Sequence, residues 1–557
     1  MFSKISERTM HLTRWGFTLG WILLIVSLFY DPISAQWTAP GQLFATNAPN
    51  NCALFQGQCL PLSPYPMGAR IFWGMVLPLV IVTLLVFGHE AWRRICPLSF
   101  LSQIPRSLGV QRQSIIDEDS WLARNALTVQ FSLLFLGLNL RLLLANSDRL
   151  LLGIFLSLTI LAAITIGFLF AGKTWCNYFC PMAPVQMVYS EPSGLFGSKA
   201  HTAPPKTITQ SMCRTVGKEG QEKSACVACK VGCIDIDAEG AHWENIRQPD
   251  RKLLYYAYVG LVIGFYTYFG LYSGNWSFLK AGMWNETSQL STLLAPGFFI
   301  AGQAIAIPKL IAVPLTLTLF SGATYAIGLW AEKTYKRYNK RLRRPLSADL
   351  VQSQAFAIAT FLAFNLLFFM GIQPTLGYFP IVVQNLISWA AIVLSSLWLV
   401  KTWKRSAQRY TRERDANLLR RQLGKLEIDL SQFLEGRSLE DLKPDELYTL
   451  AKVLPSFTQE YRQQVYLGAL RESIEKRSVL PANSLHLFQA LRQNLGITDE
   501  AHTHLLEKLQ IEEPQIFPAK PPDQANSPTV MWSFSKADSD PDGSANTTIV
   551  RPRQKND

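Results

Sequence analysis

The chain has 557 residues, 49% of them hydrophobic and 12% aromatic, with only 17% charged, a balance too apolar for a wholly soluble protein of this length. Its formal charge of +13 would suit a nucleic-acid binder, but the basic residues collect beside apolar runs, where they hold helix ends against anionic lipid. Nucleic acid is therefore set aside as a partner, and membrane lipid is expected as one.

Runs of about twenty apolar residues can cross a hydrocarbon core. They fall near 15–30, 70–88, 126–145, 150–171, 253–273, 305–330, 354–372 and 381–400. The predicted fold class is an all-α polytopic membrane protein with eight transmembrane helices, occupying residues 1–408 and carrying a polar loop at 172–252. Asp31-Pro32-Ile33-Ser34-Ala35 follows the first run and also fits a signal-peptidase site. The external loop beyond it holds Cys52 and Cys59, which are expected to form a disulfide in an oxidising compartment.

Further along, Arg141 near the end of the third run reads as a side chain that snorkels to the interface, and Asn365 as an ordinary polar residue of a helix contact. The stretch Asn275-Trp276 through Met283-Trp284-Asn285-Glu286 reads first as an interfacial aromatic belt and second as a quinol pocket. Pro308, Lys309 and Pro314 interrupt the sixth run, so Leu293 to Ile307 reads either as part of a crossing or as a re-entrant segment.

Basic residues set the orientation. Lys4, Arg8 and Arg14 precede the first run, and Arg93, Arg94, Arg106 and Arg112 follow the second. Lys333 to Arg344 follow the sixth, and Lys401, Lys404, Arg405, Arg409, Arg412 and Arg414 the eighth. Both termini are thus expected in the cytoplasm, with the chain multi-pass in a bacterial inner (plasma) or internal membrane.

Residues 409–513 turn charged and leucine-patterned, as in Leu418-Leu-Arg-Arg-Gln-Leu423, which predicts a small all-helical cytoplasmic domain. Thr498 followed by Asp499 and Glu500 is a predicted N-cap. No nucleophile–base pair, phosphate loop or metal motif occurs there, so the domain is expected to bind a protein partner. Residues 514–557 have too little apolar content to fold and are expected to form a disordered tail.

Chemistry concentrates in the loop, where Cys213 precedes Cys226-Val-Ala-Cys229-Lys-Val-Gly-Cys233-Ile-Asp. Four thiolates can close a zinc site, form a redox disulfide or hold one 4Fe-4S cluster. The CxxCxxxC step and its Cys-Ile-Asp-Ile exit favour the ferredoxin-type iron–sulfur site over a zinc knuckle. Cys176 and Cys180-Pro181 end one apolar run and Cys96-Pro97 ends another. Cysteines four apart share one face of a helical turn, and proline stops the helix behind them. These three are candidates for a second metal site, with His89 as a possible fourth ligand, against a reading in which Cys96 is simply a buried apolar residue. No histidine lies deep in a span, so no haem is expected. His201 and His242 flank the cysteine loop.

Two Cys-Pro motifs at membrane edges followed by a ferredoxin-type loop resemble the membrane iron–sulfur (polyferredoxin-like, 4Fe-4S) proteins that accompany periplasmic nitrate reductase, nitrous-oxide reductase and cytochrome-oxidase assembly. The resemblance covers roughly residues 70–250. The family's CxxxCP occurs here once, at Cys176 to Pro181; at the first position Trp92-Arg-Arg-Ile-Cys96-Pro97 has Trp92 in place of a cysteine. The resemblance implies electron transport from a quinol pool.

The expected function is single-electron transfer between a quinol-type membrane donor and a redox protein partner, by a carrier rather than a stand-alone catalyst. The alternative is a redox or iron sensor, or an assembly factor, in which the cluster regulates the C-terminal helical domain.

Overall fold

The computed structural model describes residues 5–46, 48, 51–112, 114–117, 119–197, 200–202, 214–216, 222–224, 233–235, 237–286, 288–342, 346–425, 434, 436–453, 457–475 and 488–514. Cys213, Cys226, Cys229 and nearly all of the 514–557 tail lie outside the described residues.

Eight helices are long and apolar enough to cross a membrane: α1 (Glu7–Phe29), α2 (Met67–His89), α3 (Ala126–Ala145), α4 (Arg149–Leu169), α5 (Pro249–Ser273), α6 (Lys309–Arg341), α7 (Ala348–Ile372) and α8 (Ile381–Trp403). Polar side chains cap the first turns of α1 and α4, where the helix has no carbonyl to offer. Ser6 accepts from the Thr9 N–H, Asp148 from those of Leu150 and Leu151, and Pro249 opens α5. The most apolar stretch of α5 is 72% buried, against 17% in α1 and α8, so α5 is the axis of the bundle. Glycine lets α6 lie close along it: a Cβ at Gly260 would sit 2.2 Å from the Phe320 carbonyl oxygen. On the outer helices Leu319, Ile327, Trp330, Leu386 and Trp389 are exposed, as on helices that meet lipid tails.

The sixth span starts later and runs further than its sequence suggests. Leu293 to Ile307 is no irregular re-entrant chain. Pro296–Ile300 and Gln303–Pro308 pair antiparallel, with Ala301 and Gly302 at positive φ in the turn. A hairpin satisfies its backbone groups across the pair, which a re-entrant coil cannot do unaided. At the same end, Cys52–Phe55 pairs with Gln58–Pro61, and a disulfide joins Cys52 to Cys59. Phe55 of this hairpin packs on Phe278 and Tyr272. Phe278, Met283 and Trp284 are buried, so this part of the stretch faces inward, whereas Trp276 at its start is exposed. Asn365 of α7 donates to Ser395 of α8 at 3.2 Å.

After α8 come α9 (Ala407–Leu423), α10 (Pro444–Val453), α11 (Gln459–Glu475), α12 (Gln489–Leu495) and α13 (Asp499–Glu512). They enclose Leu419, Leu447, Tyr466, Leu470 and Leu491 in a core separate from that of the spans. Thr498 caps α13 by accepting from the Ala501 N–H.

Candidate metal centre

Cys96 ends the helix Leu77–Ile95, and Cys180 ends the π-helical turn Trp175–Phe179. A proline follows each and removes the next N–H donor. The two corners share one geometry, with φ −61° and ψ 121° at Cys96 and φ −64° and ψ 119° at Cys180. Cys176 and Cys180 are buried, and Cys96 is partly exposed. Burial and the neighbouring Cys176 push the Cys96 thiol up to about 11. Burial, then Cys176 and Cys96, push the Cys180 thiol upward too. Cys176 and Cys180 lie in one buried cluster against which Leu98, two residues after Cys96, packs.

Arg93, one turn before Cys96 and 2% exposed, organises that end. Its Nε donates to Gln186 Oε1 at 3.0 Å, and Nη1 donates to Asn177 Oδ1 at 3.2 Å and Asp235 Oδ1 at 2.8 Å. Nη2 donates to the Cys176 carbonyl at 3.1 Å. Gln130 of α3 donates to the same carbonyl at 3.3 Å. Burial alone would raise the Asp235 carboxyl, but Arg93 and Lys173 outweigh it and hold the group below the usual carboxylate range. Asp235 lies two residues after Cys233, so the guanidinium that grips the Cys176 turn also grips the exit of the cysteine loop.

Gly88, at φ 79°, breaks α2. The kink frees the carbonyls of Leu85 and Val86 to accept the N–H groups of Leu195 at 2.8 Å and Phe196 at 2.5 Å. The two strands of chain touch so closely that a Cβ on Gly194 would lie 2.3 Å from the Gly88 nitrogen. Beyond the kink, His89 Nε2 meets the Ile234 carbonyl at 2.6 Å and Nδ1 meets Ser190 Oγ at 3.1 Å. Both ring nitrogens are engaged, and the ring seats the loop exit.

Two further networks surround the site. The Glu191 Oε2 oxygen accepts from His242 Nδ1 and the Tyr255 hydroxyl, each at 3.0 Å, and from Arg251. Burial opposes ionisation of Glu191, yet Arg251 and His242 prevail and hold it down at about 2. On the other side, Tyr410 of α9 donates to Asp237 Oδ2 at 3.0 Å, and Arg405 donates to Glu239 at 2.7 Å and to Glu413 at 2.9 Å. His201 meets Glu413 at 3.0 Å. These contacts tie the loop exit to the helices after α8.

Among the described residues, no group of three or more His, Cys, Asp or Glu side chains is gathered closely enough to hold a metal ion. Cys233 is described and partly exposed, whereas the three thiols preceding it in the loop are not. Sequence reasoning singled out the thiols and missed the residues that hold the chain around them, Arg93, Asp235 and Glu191. Arg93 and Arg94 had the look of membrane anchors, yet they are 2% and 3% exposed. No protein-family model, curated protein or solved structure matches the chain.

Proposed function

We propose that the protein is a membrane-bound iron–sulfur carrier. Cys213, Cys226, Cys229 and Cys233 would hold one 4Fe-4S cluster, which passes single electrons between a quinol-type donor in the membrane and a redox partner. Four soft thiolates at this spacing suit iron–sulfur chemistry, and the chain's own share is positioning and tuning of potential. Cys96, Cys176 and Cys180 are candidates for a second cluster. The observation that carries this reading is Arg93, whose guanidinium holds both the Cys176 carbonyl and Asp235, bringing the end of the cysteine loop to the Cys-Pro corners. The resemblance to polyferredoxin-like membrane proteins points the same way, as does an orientation with the cysteine end and both termini in the cytoplasm of a bacterial cell.

The test is iron and acid-labile sulfide content with low-temperature EPR on protein purified without oxygen. About four irons per chain, lost in Cys226→Ser, are expected for one cluster, and about eight would add the Cys-Pro corners as ligands. Zinc without iron would end the electron-transfer reading.

A second reading rests on Tyr410, Arg405 and Glu413, which join the loop exit to α9. In it, the cluster reports redox state or iron to the C-terminal helices and their protein partner. Full cluster content without reduction by quinols, together with a partner whose binding to those helices depends on redox state, would favour it.

A further inference from the structure

At the end of the bundle away from Cys96, Cys176 and Cys180, α2, α3 and α5 converge on Arg141. Its guanidinium carbon lies 3.9 Å from the Trp73 ring centroid and 4.5 Å from that of Phe265. The residue is 9% exposed. It makes no ion pair or hydrogen bond among the described residues, and its buried Nε has no partner. Carboxylates at this end are committed elsewhere. Asp148 caps α4, and Glu286 accepts from Tyr272 at 2.6 Å, Thr292 at 3.3 Å and Lys309 at 3.5 Å.

A second, independent observation lies one turn on. Asn146 is 1% exposed, and both its amide oxygen and its amide nitrogen lack a partner. The backbone between the two residues is a π-helical turn, Arg141–Ala145, which leaves them about one turn apart along the chain. Trp73 sits in another π-helical turn, Phe72–Val76, and its indole donates to the Ala145 carbonyl at 3.0 Å. Such turns are rare and gather at functional sites.

We propose that Arg141 and Asn146 form a binding site for an oxyanion of the phosphate class, at the end of the bundle opposite the cysteine loop. A negatively charged group that also carries a hydroxyl matches what the two residues leave open: N–H donors on both, and an acceptor on the Asn146 amide oxygen. The guanidinium supplies charge and paired N–H donors, and the Asn146 amide supplies another. The aromatic faces of Trp73 and Phe265 hold the guanidinium without neutralising it. A neutral carbonyl would take the hydrogen bonds and leave the charge uncompensated. Phosphate reaches such a place from a phospholipid head group or from free solution. Arg141 is four residues from the end of α3, roughly 6 Å at about 1.5 Å per residue, which is within reach of a head group. The inference is independent of the cluster chemistry.

The experiment uses the full chain in detergent. Native mass spectrometry follows titration with phosphatidylglycerol or with diacylglycerol, which lacks the phosphate, and thermal unfolding is followed with and without inorganic phosphate. One retained phosphatidylglycerol is expected, bound at least about tenfold more weakly by Arg141→Gln, as for loss of a charge-assisted pair. Stabilisation by inorganic phosphate in the parent protein but not in Arg141→Gln, without retained lipid, supports the same site with a soluble ligand. Equal lipid retention and equal phosphate response in the two proteins overturn the proposal. Should Arg141→Gln fail to fold, Asn146→Leu decides in the same assays: weaker binding supports the site, and unchanged binding overturns it.

Discussion

At the cysteine end of the bundle Arg93 meets Asp235 at 2.8 Å together with three other oxygens, and Arg251 meets Glu191 beside His242 and Tyr255. At the opposite end Arg141 lies against two aromatic rings, and Arg70 lies between Tyr65 and Tyr378, donating only to the Pro374 carbonyl among the described residues. Both ends bury guanidinium groups, but among the described residues only one gives them carboxylates. A buried pair contributes little when present and a great deal when half of it is removed, because the surviving charge is stranded. Paired charges therefore fix geometry, while an unpaired one leaves a valence open. The first pattern suits a place where chain segments must be held in register, the second a place where something else is to bind.

The sharpest way to break this contrast is Arg93→Ala. It strands Asp235 and removes the donor from three other acceptors, and a loss of about 3–5 kcal/mol is expected by denaturant unfolding in detergent. Adding Asp235→Ala should recover part of that loss. No recovery would mean that the two groups act independently.

Next in size is the pH response of Glu191. Its folded value near 2 lies below the unfolded value of about 4.3, so the folded state binds fewer protons between the two. Its stabilisation is fully present above about pH 4.5 and is lost as pH falls towards about 2. Thermal unfolding between pH 6 and pH 3 should show a steeper fall in the parent protein than in Glu191→Gln; parallel curves would remove Glu191 from the account. The smallest effect is expected at the other end. Arg141→Met in lipid-free detergent should change stability by less than about 1 kcal/mol, or increase it, because no buried partner is stranded. A loss as large as that of Arg93→Ala would make the two ends alike.

Much of this architecture is legible in the sequence, and the exceptions have physical causes. The spans announce themselves because an apolar run of the right length has few alternatives in water. Thr498 is recognisable as a cap because capping is local: the acceptor and the N–H it serves lie three residues apart. Cys180-Pro181 and Cys96-Pro97 are visible as corners for the same reason. Arg93 is different, since its partner Asp235 is 142 residues away, and nothing near Trp92-Arg-Arg distinguishes a cation pinned in the interior from one resting on lipid head groups. The hairpin from Pro296 to Pro308 merges with the apolar start of α6, so its period of two is lost in the longer run. Trp284 likewise has the composition of an interfacial residue, and its tertiary packing, with Arg70 against its ring and the Phe55 hairpin over the neighbouring Phe278, turns it inward.

The long reach of Arg93 also bears on how the protein is made. When α2 leaves the ribosome, neither the Cys176 turn nor Asp235 has yet been synthesised, so the guanidinium begins life at the water boundary, where hydration satisfies it. It can be enclosed only after α3 and α4 have been inserted and the segment from Cys233 to Asp237 has arrived to cover it. One side chain thus sets an order of assembly, in which the cysteine end of the bundle stays open to the surrounding solution until the fifth span is about to emerge.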